Sequence, residues 1–220
     1  MSSHEAKLDG PRRLADVLAT GHACSLREAL LCTLQLARQV GCLHEAGRVH
    51  LGIAAEAVTL EDRQRPKLPP AAEQVRFGGE AAGPDLCPPE LAEDDAVELP
   101  TVIEAAAAVL RQSGHTIDPR QIDLYQLGTL LYRLLTGQSI LQYMYTPAGK
   151  TEVPDAVRTI LERMLGYDAD DRYGDCPALI AALEDLARQV GAEASGVPGT
   201  ETPPSGSFIA GPSPYRSSAS

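Results

Sequence analysis

Few side chains in this sequence are of a type that could do acid–base or metal chemistry. His50 precedes an apolar stretch, where it could act as a general base or a metal ligand, and Asp123 lies inside a strongly apolar segment. A single histidine beside apolar residues is more often a hydrogen-bonded core residue. A buried carboxylate without donors is costly, so Asp123 needs partners, and capping a loop would supply them. We therefore predict structural roles for both residues.

Two acidic runs and five cysteines contain residue types that can bind metals. Residues 168–171 contain three aspartates, but they lack the glycine and the terminal glutamate of a calcium loop, and they are interpreted as a turn. The acidic run at residues 93–95 is interpreted as a solvated loop. The cysteines include no CxxC pair and are odd in number, which indicates neither a zinc site nor a disulfide framework. We predict no metal site and free thiols.

The composition favours a helical, cytoplasmic protein. Among 220 residues, 30 are acidic and 19 are Lys or Arg, so the net charge of -11 offers no cationic surface for nucleic acid or anionic lipid. Aromatic residues make up 4% and Trp is absent, so Leu, Ala, Val and Ile must build the core, which favours helices over a β-sandwich. No apolar run approaches the roughly 18 residues that span a membrane, and no signal-peptide pattern opens the chain.

Apolar periodicity predicts the helices. The clearest begins at Ser25, which lies three residues before Glu28 in the spacing of a capping box. Residues 121–136 are apolar on nearly every face, a pattern typical of a helix buried all round, and we expect this helix at the centre of the core. The predicted helices cover residues 14–19, 25–44, 101–111, 121–136, 155–165 and 177–190.

The remaining segments carry weaker signals. Residues 58–60 resemble a short strand, with residues 67–68 as a hairpin partner. Residues 66–100 contain repeated Pro and Gly and are predicted to be mostly loop, with at best brief helical turns. Residues 191–220 are rich in Ser, Pro and Gly and cannot bury enough apolar surface to offset their ordering entropy, so we predict a disordered tail.

Four motifs occur in a specific order. They are LADVL at residues 14–18 with the long helix after it, LHEAGRVH at 43–50, DLYQLGTLLYRLLTG at 123–137 and LERMLGYDADDRY at 161–173. In this order they resemble the C-terminal lobe of a bacterial, eukaryotic-like (Hanks-type) serine/threonine protein kinase, and the third motif is the strongest match. The resemblance covers about residues 8–190. It implies a mainly α, protein-kinase-like C-lobe, a helical bundle with a short β-hairpin, and no N-lobe.

The residues that carry phosphoryl transfer in that family differ in this chain. The family's catalytic loop reads HRDxKPxN, in which Asp accepts the substrate proton, Lys steadies the phosphate and Asn holds magnesium. The corresponding run HLGIAAEA places Gly52, Ala54 and Ala57 at those three positions. The family's DFG motif would fall at residues 70–72 by spacing or 76–78 by appearance, and neither run contains a carboxylate. The resemblance therefore implies degenerate positions and no catalytic, cofactor-binding or metal-binding residue.

The resemblance also implies a set of structural positions: His50, Glu90, Asp123, Gly128 and Arg172. In the family the histidine packs into the lobe, the aspartate bonds backbone amides of the catalytic loop, and the arginine pairs with the Glu of an APE motif. Glu90, in the run Pro-Pro-Glu, is the preferred match to that Glu, which makes residues 66–120 a degenerate activation segment with an insertion. The alternative places residues 106–108 there and leaves Arg172 without that partner.

The implied organisation is an extension or hinge remnant at residues 1–13, the lobe at 14–190 and the tail at 191–220. The expected function is that of a catalytically inactive pseudokinase module that binds or regulates protein partners, without cofactor, with self-association as one option. One alternative is a serine/threonine kinase using ATP and Mg²⁺, whose N-lobe is supplied by another chain or lost by gene truncation. The other is a helical adaptor unrelated to kinases.

Without an N-lobe, an apolar face of the lobe is expected to lose its cover. The residues predicted to form that face are Leu8, Leu51, Ile53, Val58, Leu60 and Leu68. A large uncovered apolar patch is unusual on a soluble monomer. We therefore expect the face to self-associate, to be covered by residues 66–100, or to bind another protein.

Overall fold

A computed structural model of the chain describes residues 12–19, 23–61, 65–78, 83–92 and 96–195. The predicted extension before residue 12, the acidic run at 93–95 and Leu8 lie outside the described residues. The strands are β1 (Arg12–Arg13), β2 (Thr59–Glu61), β3 (Arg65–Lys67), β4 (Gln74–Phe77) and β5 (Val97–Pro100). The helices are α1 (Leu14–Leu18), α2 (Leu26–Glu45), α3 (Pro89–Ala92), α4 (Ile103–Gln112), α5 (Pro119–Thr136), α6 (Ile140–Tyr145), α7 (Pro147–Thr151), α8 (Asp155–Met164) and α9 (Cys176–Ser195).

The two long helices nearest the site begin at capping boxes. At α2, the Ser25 hydroxyl accepts a hydrogen bond from the Glu28 N–H, and the Glu28 carboxylate accepts one from the Ser25 N–H at 3.0 Å. Asp118 and Gln121 form the same pair at α5, with proline in the first turn. Helix α5 ends at Gly137, whose φ of +72° is a left-handed conformation that favours glycine.

Helix α5 is the centre of the main core, as the sequence predicts. Leu124, Leu127 and Leu131 on this helix are each 0% exposed. Helix α2 packs against both α5 and α9, and α8 packs on another side of α5. Helix α9 extends beyond the predicted end at residue 190 and continues into the region expected to be a disordered tail. Residues 196–220 lie outside the described residues.

Close contact between α5 and α8 depends on Gly128. A Cβ atom built on this glycine would lie 2.8 Å from the Cβ of Met164 and 3.0 Å from the Cδ2 of Leu165. Neither distance allows a normal van der Waals contact. The two helices can therefore approach this closely only where α5 has no side chain.

Two small antiparallel sheets lie beside the helices. In the first, β2 pairs with β1 and with β3, and Leu60 lies opposite Pro66. The predicted hairpin is confirmed, although Leu68 lies just outside its strand. In the second sheet, β4 pairs with β5.

The prediction that residues 66–100 are mostly loop is wrong at β4 and β5. The alternation is visible afterwards, because Phe77, Val97 and Leu99 are buried whereas Arg76 and Glu98 are exposed. Each strand is only four residues long, and residues 78–96 separate it from its partner. The local pattern was therefore too short to predict either strand. Beneath this sheet lies a second core cluster made of Val49, Leu51, Phe77, Cys87, Leu91, Val97, Leu99, Leu110, Ile117 and Ile122.

The expected uncovered apolar face is also corrected. Leu51, Ile53 and Val58 are each 0% exposed, and Leu68 is 8% exposed. Ile53, Val58 and Leu68 belong to the main core. Leu51 packs in the second cluster with side chains of β4 and α3, so the segment 66–100 provides its cover, one of the three arrangements considered above.

We expect Gly128→Ala to destabilise the fold by about 1–3 kcal/mol, because the added methyl group overpacks the contact between α5 and α8. Urea denaturation followed by circular dichroism measures the change. Gly174→Ala is the matched control, since a Cβ there meets nothing within 4 Å. Equal stability of the two variants would contradict the close approach of the helices.

Candidate functional site

The candidate site is the loop of residues 49–57, which follows α2 and is held by the buried carboxylate of Asp123 on α5. Asp123 is 0% exposed. Its Oδ2 accepts a hydrogen bond from the His50 backbone N–H at 2.8 Å, and its Oδ1 accepts one from the Leu51 N–H at 2.7 Å. The His44 ring is a third neighbour, with Nε2 2.9 Å from Oδ2. These hydrogen bonds offset the free-energy cost of removing the carboxylate from water.

The two backbone bonds coincide with a strained residue. Leu51 has a φ of +62°, the left-handed region that a leucine rarely adopts. Such conformations persist only where the surroundings determine them. Here the Asp123 bond to the Leu51 N–H and the complete burial of the leucine side chain supply that constraint.

Gln126, one turn further along α5, fixes the next part of the loop. Its Oε1 accepts a hydrogen bond from the Ile53 N–H at 2.9 Å. Its Nε2 donates to the Leu51 carbonyl at 3.1 Å and to the Leu86 carbonyl at 2.8 Å. The amide thus joins the loop to the segment 83–92, which precedes β5. Sequence reasoning missed this residue, although it lies within the strongest of the four motifs, at residues 123–137.

His50 is fully occupied by structural hydrogen bonds. Its Nδ1 accepts from the Gly52 N–H at 3.2 Å, which leaves the proton on Nε2 to be donated to the Pro69 carbonyl at 3.1 Å. The side chain is buried, with 3% of the residue exposed. Neither ring nitrogen is available to a substrate or a metal. The ring connects the loop to Pro69.

The loop offers little chemistry of its own. Gly52, Ala54 and Ala57 are partly exposed, and a Cβ on Gly52 would find the His50 ring as its nearest neighbour at 3.7 Å, an ordinary contact. The loop's remaining ionisable residue is Glu56, whose exposed carboxylate forms an ion pair with Arg133 at 2.8 Å. The arrangement can hold a loop in one shape, but it presents no general base beside a nucleophile or metal.

The segment 83–92 is anchored to α5 by several polar contacts. The Thr129 hydroxyl donates to the Asp85 carbonyl at 2.7 Å. The Tyr125 hydroxyl donates to the Pro84 carbonyl at 3.3 Å. In turn, the Asp85 carboxylate accepts from the Ile140 N–H at 2.8 Å at the start of α6. The segment 83–92 is therefore bound along one side of α5.

Glu90 and Arg172 are brought together. Nη2 of Arg172 lies 2.8 Å from the Glu90 carboxylate, its Nε donates to the Gly166 carbonyl at 2.9 Å, and its guanidinium lies 5.2 Å from the centre of the Tyr125 ring. The side chain of Arg172 is 0% exposed. Of the two alternatives for its partner, the structure has Glu90, whereas residues 106–108 lie in α4. Because a buried cation is costly unless paired, this pair fixes α3 in place.

Cys176, His44 and Asp123 form a chain of contacts beside the loop. Sequence reasoning missed this arrangement. Cys176 Sγ lies 3.6 Å from His44 Nδ1, while His44 Nε2 faces Asp123. Burial, with help from the Asp123 carboxylate, raises the pKa of the Cys176 thiol to about 12. The cysteine is thus a protonated thiol beside His44 Nδ1. The folded state loses stability as pH rises past the ordinary thiol pKa of 9.0, because the unfolded thiol ionises first.

Two further searches cover the part of the chain that the structure describes. No group of three or more His, Cys, Asp or Glu residues is placed to hold a metal ion. No helix in the same ranges is both long and apolar enough to cross a membrane.

The fold is protein-kinase-like. Similar solved structures include the Mycobacterium tuberculosis PknI kinase domain, with a TM-score of 0.57 and 20% sequence identity over 80% of this chain. A double mutant of the same domain gives the same values. The chain spans 62% of the length of that kinase domain. No protein-family model matches the sequence, and neither does any curated protein.

We expect Asp123→Asn to destabilise the protein by about 2–4 kcal/mol, because the amide keeps one acceptor oxygen but turns an NH₂ group toward a buried donor. Urea denaturation measures the loss, and hydrogen exchange should show faster exchange at the His50 and Leu51 amides. Asp168→Asn is the control, since Asp168 is exposed and makes no side-chain cap bond. Unchanged exchange at the two amides would refute the assigned role.

We expect Cys176 to resist iodoacetamide in the folded protein at neutral pH, because its thiol is buried and protonated. Cys42 is exposed and should be alkylated under the same conditions. Peptide mass spectrometry before and after denaturation measures both sites, and denaturation should make Cys176 reactive. Labelling of Cys176 as fast as Cys42 in the folded state would indicate an activated thiolate instead.

Proposed function

We propose that this chain is a kinase-fold module that corresponds to the C-terminal lobe and acts by binding other proteins, without transferring phosphate. The observation that carries the proposal is the loop at residues 49–57. Asp123 and Gln126 hold its backbone, yet Gly52, Ala54 and Ala57 stand where the resemblance expects the base, the phosphate-binding cation and a metal ligand.

The charge requirements of phosphoryl transfer support the same proposal. The reaction needs metal ions and fixed charges that neutralise the transferred group. Residues 70–72 and 76–78, the two candidate positions for a metal-binding carboxylate, contain none. Phe77 of the second run is instead buried in the core beneath β4 and β5.

The order of the helices and the packing of the segment 83–92 support the assignment to a lobe. The match to the PknI kinase domain covers 62% of that domain. Four of the helices follow the order expected of a C-terminal lobe, which is α2, α5, α8 and α9. The inserted segment 83–92 is bound to α5 beside the loop. Because the loop keeps a fixed shape but carries Gly52, Ala54 and Ala57 at the expected reactive positions, it suits recognition of a partner better than turnover of a substrate.

We expect the purified protein to show no magnesium-dependent thermal shift with ATP and no transfer of radiolabelled phosphate to a generic protein substrate. An active serine/threonine kinase domain serves as the positive control, and a mock purification controls for contaminating kinases. Label transfer that scales with the amount of this protein and is absent from the mock preparation would refute the proposal. A thermal shift with ATP but no transfer would limit the module to nucleotide binding.

A further inference from the structure

Strand β4 has one edge that no strand in the described part of the chain occupies. The Thr101 N–H donates to the Glu73 carbonyl at 3.1 Å, and Val75 lies opposite Leu99 in the same register. Hydrogen-bonded and non-hydrogen-bonded pairs alternate in an antiparallel ladder. Val75 therefore directs its N–H and C=O toward β5, as Phe77 does.

Gln74 and Arg76 direct their backbone groups the other way. Gln74 lies opposite Pro100, which has no N–H, as a non-hydrogen-bonded pair allows. Nothing in the described ranges makes a hydrogen bond to the N–H or C=O of these two residues. Both residues are exposed. Such an edge is a template for another strand.

We propose that a second copy of this chain pairs with this edge, β4 against β4, antiparallel about a two-fold axis at Val75. In this register Gln74 lies opposite Arg76 of the second copy, and Arg76 lies opposite Gln74 of the second copy. The N–H and C=O groups of both residues on each strand then form hydrogen bonds across the axis. The inference goes beyond the proposed function and does not depend on the absence of phosphoryl transfer.

Charge and packing select this register. A two-fold axis at Arg76 would set two arginines directly opposite each other, which is unfavourable. The axis at Val75 sets each arginine opposite a neutral glutamine. It also brings the two half-buried Val75 side chains together on the opposite face, at the close spacing of a non-hydrogen-bonded pair. The edge is thus complementary to itself, which favours a second copy over an unrelated peptide.

Two proline variants test the pairing. Arg76→Pro removes an N–H that points away from β5, so it should keep the fold but weaken the dimer about tenfold or more, since two hydrogen bonds are lost per dimer. Glu98→Pro is the matched control, because Glu98 lies opposite Arg76 and directs its N–H to the other edge of the sheet. Analytical ultracentrifugation over a wide concentration range, with thermal melts of each variant, measures both effects. We expect a dimer for the parent and for Glu98→Pro.

A cysteine variant tests the register itself. Two Val75→Cys residues across the axis would have Cα atoms about 4.5 Å apart, within the range of a disulfide. Oxidised glutathione, which is reduced as the disulfide forms, should therefore crosslink this variant into a covalent dimer on a non-reducing gel. All proteins in this test carry Cys42→Ser, because Cys42 is exposed and could crosslink by itself. This background protein and its Glu98→Cys variant, treated alike, should not crosslink.

The outcomes separate cleanly. A parent that is monomeric at every concentration overturns the proposal, and so does an Arg76→Pro variant that dimerises as tightly as Glu98→Pro. If Arg76→Pro melts well below its control, the cysteine variant decides, and the lack of a crosslink overturns the proposal. Crosslinking together with a dimer weakened only by Arg76→Pro establishes it.

Discussion

The buried carboxylate of Asp123 needs hydrogen-bond donors, and the backbone of residues 50–51 provides two of them. This exchange orders the loop, and Leu51 has its left-handed conformation at the point where the two amides meet the carboxylate. Gln126 and Thr129 follow Asp123 at intervals of about one turn on α5. These three side chains form one polar face of the helix, which hydrogen-bonds to the loop and to the segment 83–92. An otherwise apolar helix thereby organises two irregular segments.

The ion pair between Arg172 and Glu90 connects further segments to α5. Arg172 lies after α8, yet it contacts Glu90 on α3 and the ring of Tyr125 on α5. Loss of either ionic partner would leave a charge in a place with little water, a cost of about 3–5 kcal/mol for buried pairs. The segment 83–92 is therefore held by polar contacts and by the burial of its apolar side chains.

The features that the sequence predicts are those with a local cause. The capping box of Ser25 and Glu28 lies within one turn, and the burial of α5 can be read from its own residues. The need of Asp123 for donors also followed from its apolar neighbours. The pairing of β4 with β5 and the contact of His44 with Cys176, 132 residues apart, depend on tertiary packing that no local pattern encodes. Gln126 was missed because a polar residue on a buried helix does not reveal which carbonyls it meets.

The loop at residues 49–57 is held through its main chain, and this separates folding from chemistry. Asp123 and Gln126 contact backbone N–H and C=O groups, so these hydrogen bonds do not involve side chains at positions 52, 54 and 57. Substitutions at these three positions would leave those hydrogen bonds in place. The shape of the loop and the chemistry of its side chains can therefore change independently of each other.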